Sequence, residues 1–142
     1  MNDGAIVIVE DNPDDLELTL RALRHHHLSN QVVIARDGAE ALEIVLGEEA
    51  QAPALILLDL KLPKLSGHEV LQALRRETRT ALIPVVILTS SIEDEDVVMA
   101  YESGANSYVR KPVVFSDLIA AVQQLGLYWL LLNEPPRQSG SR

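Results

Sequence analysis

Five short apolar runs mark the chain, at Ala5 to Val9, Val32 to Ala35, Leu55 to Leu58, Val85 to Leu88 and, more weakly, around Ser107 to Val109. The strong runs are apolar at every position and do not alternate between inward and outward residues. Such runs belong to strands covered by helices on both faces, which means a parallel sheet. Parallel neighbours need long crossover connections, and the segments between these runs are long enough and carry helical spacing.

After Pro13, a residue suited to a first helical turn, Leu16, Leu20, Leu23 and Leu28 fall near helical spacing. A second helix spans Ala39 to Leu46 before Gly47, and a third runs from about Gly67 to Glu77 with Val70, Leu71 and Leu74 inward. The fourth opens on the acidic "EDED" of 93 to 96, favourable at a helix N-terminus, and stops at Gly104. The last begins near Ser116 or Asp117, with Leu118, Val122, Leu125, Trp129 and Leu132 on one face. Strands and helices in alternation predict a doubly wound α/β domain, whose ligands bind beyond the carboxyl ends of the strands. At 142 residues the chain fits one such domain, expected over residues 1–133, followed by a tail over 134–142.

Composition narrows the function. With 21 acidic against 12 basic residues, a formal charge of −9 and no Lys/Arg block, the chain is unsuited to a nucleic-acid backbone. The absence of cysteine removes disulfides, thiolate metal sites and a Cys nucleophile. No apolar run reaches the length of a membrane span and the N-terminus lacks a basic targeting segment, so a cytoplasmic protein without a membrane partner is expected.

At the strand ends stand Glu10 and Asp11 after the first, Asp59 after the third, Thr89 and Ser90 after the fourth, and Lys111-Pro112 after the fifth. Unit charges about 4 Å apart interact by roughly 4 kcal/mol near a protein surface, so crowded carboxylates need compensation from a cation, a helix N-terminus or solvation. Glu10, Asp11 and Asp59 offer hard oxygens without His or Cys, which suits Mg²⁺. A carboxylate beside Mg²⁺ can attack phosphorus, and a Lys and a hydroxyl nearby can hold the transferred group's oxygens. Asp59, ending the middle strand, is the best placed nucleophile.

The segments "VEDNPDD", "LILLDLKLPKLSG", "VVILTS" and "YVRKP" resemble the motifs of the receiver domain of two-component response regulators. Order and spacing are kept, with 48 residues from Asp11 to Asp59, 30 more to Thr89 and 22 more to Lys111. The resemblance implies a five-stranded, flavodoxin-like sheet of order 2-1-3-4-5, with Asp59 accepting a phosphoryl group from a sensor histidine kinase. It implies that Glu10, Asp11 and Asp59 hold Mg²⁺ with the backbone carbonyl of Lys61, that Thr89 and Lys111 contact the phosphoryl group, and that Tyr108 moves inward with Thr89 as a switch. It also implies a cis Lys111-Pro112 bond. "EDNPDD", "ARDGAEAL" and "YWLLL" look most like the small stand-alone regulators paired with bacterial phytochromes, which implies such a kinase as partner.

The match leaves no room for an attached output domain, so output is expected through protein contacts on the face of helix four, strand five and helix five. The surplus apolar residues of the last helix, with Tyr128 and Trp129, point to a partner or homodimer surface. Asp14 and Asp15 are read mainly as first-turn helix acids and His25, His26 and His27 as an exposed helix end. Ser90 is small enough to leave the site open.

Competing functions fit less well. A phosphohydrolase with an aspartyl-phosphate needs a second Asp where Lys61 stands, which argues against an enzyme with turnover. An FMN carrier needs a Ser/Thr/Gly-rich loop where this chain is acidic. A phosphorylation-independent adaptor or a phosphate sink of the same fold is the alternative.

Overall fold

In the computed structural model, which describes residues 4–24, 30–48, 50–91, 93–111 and 114–124, the apolar runs form β1 (Ile6–Val9), β2 (Val32–Ala35), β3 (Leu55–Leu58), β4 (Val85–Thr89) and β5 (Ser107–Arg110). They pair in parallel in the expected order β2-β1-β3-β4-β5. Between them lie α1 (Pro13–Arg24), α2 (Gly38–Leu46), α3 (Gly67–Arg76) and α4 (Asp94–Glu102), with α5 (Phe115–Gln124) last. No helix among the described residues is long and apolar enough to cross a membrane.

Burial explains why some runs read more clearly than others. The inner strands β1, β3 and β4 are buried at every position. Edge strands are covered less: β2 is half-buried at Val32, Val33 and Ile34, and β5 buries Ser107 and Val109 while Arg110 is exposed. The argument from uninterrupted apolar runs therefore holds for the interior of the sheet and weakens at its margins.

Successive residues of each strand feed opposite faces. Ile6, Ile8, Leu55, Leu57 and Leu88 pack with Leu16 and Leu23 of α1 and Leu118 of α5. Val7, Val9, Ile56, Leu58 and Ile87 pack with Val45 of α2, Val70, Leu71 and Leu74 of α3, and Ala100 of α4.

The helices start where local chemistry satisfies their free N–H groups. The Asn12 side chain accepts from the N–H groups of Asp14 and Asp15 at 2.9 and 3.0 Å, with Pro13 opening α1. Asp37 caps α2 by accepting from Glu40 N–H at 2.7 Å, and Ser66 with Glu69 forms a reciprocal capping box on α3. Past the end of α4, Gly104 takes φ +104°, a conformation costly for any residue with a Cβ.

Arg75, at the end of α3, acts as a clamp. Its guanidinium donates to the carbonyls of Gly104 (2.7 Å), Ile83 (2.8 Å), Ala81 (3.0 Å) and Thr80 (3.3 Å) and to the Asn106 side chain (3.1 Å). It thereby ties α3 to the α3–β4 loop and to the turn between α4 and β5. Burial holds its pKa below the usual arginine value.

Several expectations fall outside the described residues: Leu28, the His25, His26 and His27 triplet, the Lys111-Pro112 bond, Leu125 with Tyr128, Trp129 and Leu132, and the 134–142 tail.

Arg75→Met is expected to destabilise the fold by about 3 kcal/mol, because several carbonyls lose a charged donor together. Urea unfolding followed by far-UV circular dichroism measures the loss, and a midpoint within about 0.5 kcal/mol of wild type would show the clamp to be redundant.

Candidate functional site

The sheet's own hydrogen bonds hold the site. Glu10 N–H donates to Ala35 O at 3.0 Å and Asp59 N–H to Val9 O at 3.1 Å, so the β1–β2 and β1–β3 ladders continue one residue past the strands. On the other side Lys111 N–H donates to Thr89 O at 2.9 Å, extending the β4–β5 ladder. The backbones of Glu10, Asp59 and Lys111 are therefore as fixed as the strands that precede them.

Their side chains converge. Carboxylate oxygens of Glu10, Asp11 and Asp59 lie within 4.8 Å of one another, with Glu10 and Asp59 buried and Asp11 exposed. The Lys111 side chain, 7% exposed, sets its ammonium 2.5 Å from Glu10 Oε1, 2.9 Å from Asp15 Oδ2 and 3.1 Å from Asp59 Oδ2. Asp59 Oδ1 accepts from Lys61 N–H at 3.4 Å. The Lys61 side chain itself is exposed.

Burial pushes the Glu10 carboxyl from an ordinary 4.5 to about 7; the Lys111 hydrogen bond pulls the other way, and the charge of Asp59 adds to the rise. For Lys111 burial acts to lower the pKa, but hydrogen bonds to Glu10 and Asp15, with the charge of Asp59, hold it well above the usual lysine value. The ammonium is thus firmly charged, and it is one cation against four carboxylates.

Asp15 is the main departure from the sequence reading. It begins the helix as expected, yet it also reaches Lys111, whereas its neighbour Asp14 is exposed. Asn12, not singled out from sequence, caps α1 and donates its N–H to Glu10 Oε2 at 3.2 Å. The signal for it was there: Asn before Pro is the residue type of a helix N-cap.

Gly67 brings α3 against the site. Its N–H donates to Leu60 O at 2.8 Å, and a Cβ there would lie 2.2 Å from Asp59 O and 2.7 Å from Leu60 Cα. Only glycine lets the first turn of α3 rest on the backbone that carries Asp59. In the loop before it, Lys64 takes φ 70°, an uncommon conformation for a residue with a side chain.

Thr89 is fully buried at the end of β4, and its hydroxyl oxygen accepts from Ser91 N–H at 3.3 Å. The half-buried Tyr108 donates its hydroxyl to Ser91 O at 3.4 Å. Ser91 Oγ donates to Asp96 Oδ2 at 2.5 Å, and Asp96 Oδ1 lies 3.3 Å from His68 Nε2 on α3. The Ser91 hydroxyl, with His68 adding to it, holds the Asp96 carboxyl below its usual range. Asp96 was read only as one of the acids opening α4, so this chain of contacts from Thr89 to α3 was not foreseen. Ser90 is exposed. On the outer face of α4, Val98, Met99 and Tyr101 are exposed, as is Val114 just before α5.

Comparison with known families matches residues 6–123 to the response regulator receiver domain. Among solved structures, the bacteriophytochrome response regulator AtBRR is 49% identical, with a TM-score of 0.82 over 94% of this chain and 100% of its own. The phosphorylated cyanobacterial phytochrome response regulator RcpA is 38% identical, with a TM-score of 0.76 over 91% of this chain and 95% of its own. The Mn²⁺-bound response regulator Rcp1 is 35% identical, with a TM-score of 0.76 over 94% of this chain and 99% of its own.

The raised Glu10 pKa fixes the sign of a pH effect. Between 4.5 and about 7 the folded protein binds the Glu10 proton more tightly than the unfolded chain, so this stabilisation is lost as pH rises through 7. In the presence of a chelator, the urea midpoint of wild type is expected to fall between pH 6 and pH 8, and Glu10→Gln to flatten that fall. An equal slope in both proteins would remove Glu10 as its source.

Proposed function

The chain belongs to the response regulator receiver domain family, and on that premise we propose that it receives a phosphoryl group on Asp59 from a sensor histidine kinase in a Mg²⁺-dependent reaction. The observation that carries this reading is a buried Asp59 carboxylate facing a Lys111 ammonium at 3.1 Å, with Glu10 and Asp11 oxygens within 4.8 Å. In the proposed step an Asp59 oxygen bonds to phosphorus as the P–N bond of the donor's phosphoimidazole breaks, and the imidazole nitrogen keeps the electron pair.

The donor set fits a small hard cation. It consists of carboxylate oxygens alone, two from buried residues and one from an exposed residue that leaves the ion open to water and phosphate. Glu10, Asp11 and Asp59 would hold Mg²⁺, with the Lys61 backbone carbonyl as a further ligand. Bound there, the ion supplies neutralisation of the charge on the acceptor and the transferring group. Lys111 then pairs with the phosphoryl oxygens, and the Thr89 hydroxyl donates to them.

Phosphorylation adds nearly two negative charges, enough to bias a two-state element. Thr89 and Tyr108 are that element in this reading, since both hydrogen-bond to Ser91. Output runs through protein contacts on the α4–β5–α5 face, where Val98, Met99, Tyr101 and Val114 are exposed. A homodimer through that face and the C-terminal helix belongs to the same reading, as do a bacteriophytochrome as the kinase, a cytoplasmic location and a receiver domain spanning residues 1–133.

Incubation with Mg²⁺ and acetyl phosphate is expected to add one labile phosphoryl mass to wild type and none to Asp59→Asn, read by intact mass spectrometry. A wild type that stays unmodified with this donor and with a phosphorylated histidine kinase would leave an adaptor that works without phosphate. For the dimer, light scattering is expected to report a mass that rises with concentration and falls on Tyr101→Ser; a wild type monomeric throughout removes that part.

A further inference from the structure

An ammonium has three N–H bonds, and three carboxylates surround Lys111: Glu10 at 2.5 Å, Asp15 at 2.9 Å and Asp59 at 3.1 Å. Two of its N–H bonds go to Asp15 and Asp59, and Glu10 is in ion-pair contact. A phosphoryl oxygen therefore has to compete with these carboxylates for the ammonium. Glu10 and Asp59 already have places in the proposed reaction, as metal holder and acceptor. Asp15 has none, and its task of opening α1 is shared with Asp14 beside it.

We propose that Asp15 is a positioning residue that holds Lys111 in reserve: it competes with the phosphoryl group for the ammonium and keeps part of that positive charge away from the metal-holding carboxylates. This rests on the proposed phosphoryl chemistry at Asp59. The Asp15 side chain is one-third exposed, at the rim, while the Lys111 ammonium lies inside. Asp15 is therefore the most exposed of the three carboxylates in contact with Lys111.

The two roles have opposite signs, which makes them separable. Replacing Asp15 by Asn leaves the ammonium to Glu10 and Asp59 alone, where it opposes a divalent cation. A neutral amide oxygen also holds its N–H more weakly than a carboxylate does, so the phosphoryl group competes better for that N–H once the cation is bound. Asp15→Asn is thus expected to bind Mg²⁺ about three- to tenfold more weakly by calorimetry, and to phosphorylate about three- to tenfold faster from acetyl phosphate at saturating Mg²⁺, on the scale of one charge-assisted hydrogen bond. Asp15→Glu should restore both values toward wild type.

In a Lys111→Met background the Asp15→Asn effect on Mg²⁺ affinity should vanish, an outcome that a helix-start role would not produce. The Mg²⁺ titration reads this cycle even where Lys111→Met is too slow to phosphorylate. Unchanged or slower phosphorylation of Asp15→Asn, or an effect that persists without Lys111, overturns the proposal while leaving the Asp59 reading intact. A wild type that takes no phosphoryl group overturns the Asp59 reading itself.

Discussion

A single buried ammonium holds together a group of like charges that would otherwise force the strand ends apart. Lys111 lies against Glu10 and Asp15, which are close in sequence, and against Asp59 far along the chain. Removing one partner from a buried ionic cluster leaves charge without compensation, which costs far more than the pair itself contributes. Lys111 is therefore the member of the cluster whose loss costs most. The cluster also remains short of positive charge, with the Asp11 carboxylate beside it as well.

The fold delivers this set through backbone rather than side-chain precision. Glu10, Asp59 and Lys111 all extend ladder hydrogen bonds just beyond their strands, so the distances among them follow from strand spacing. Parallel connection matters here, because it brings every strand's carboxyl end to the same rim. Gly67 closes the floor, with α3 resting on the Asp59 carbonyl at a distance no side chain would permit. Ser91, just past β4, links that strand to α4 and β5 through Thr89, Asp96 and Tyr108.

Most of the architecture was legible because the inner strands are covered on both faces and so are apolar throughout. The edge strand β5 was weaker for the same reason reversed, its exposed side tolerating Arg110. The residues Glu10, Asp11, Asp59, Thr89 and Lys111 were legible as strand-end chemistry, and the meeting of Glu10, Asp11, Asp59 and Lys111 follows from the sheet order. What the residue pattern hid were second uses. Asp15 and Asp96 each begin a helix, and that sufficient local explanation concealed a tertiary one, Asp15 toward Lys111 and Asp96 toward Ser91 and His68. Arg75 was hidden too, since carbonyl partners leave no mark in sequence.

The attachments of α4 differ at its two ends. Past its C-terminal end, the Gly104 carbonyl is gripped by Arg75, which also grips the α3–β4 loop, and Gly104 itself has a backbone conformation few residues can share. At its start no side chain caps the helix, and the tether is the contact of Asp96 with Ser91 and His68. The helix is thus held by a guanidinium past its end and by the Ser91–Asp96–His68 contacts at its start, with Ala100 packed in the core between them. The exposed residues Val98, Met99 and Tyr101 lie between these two attachments.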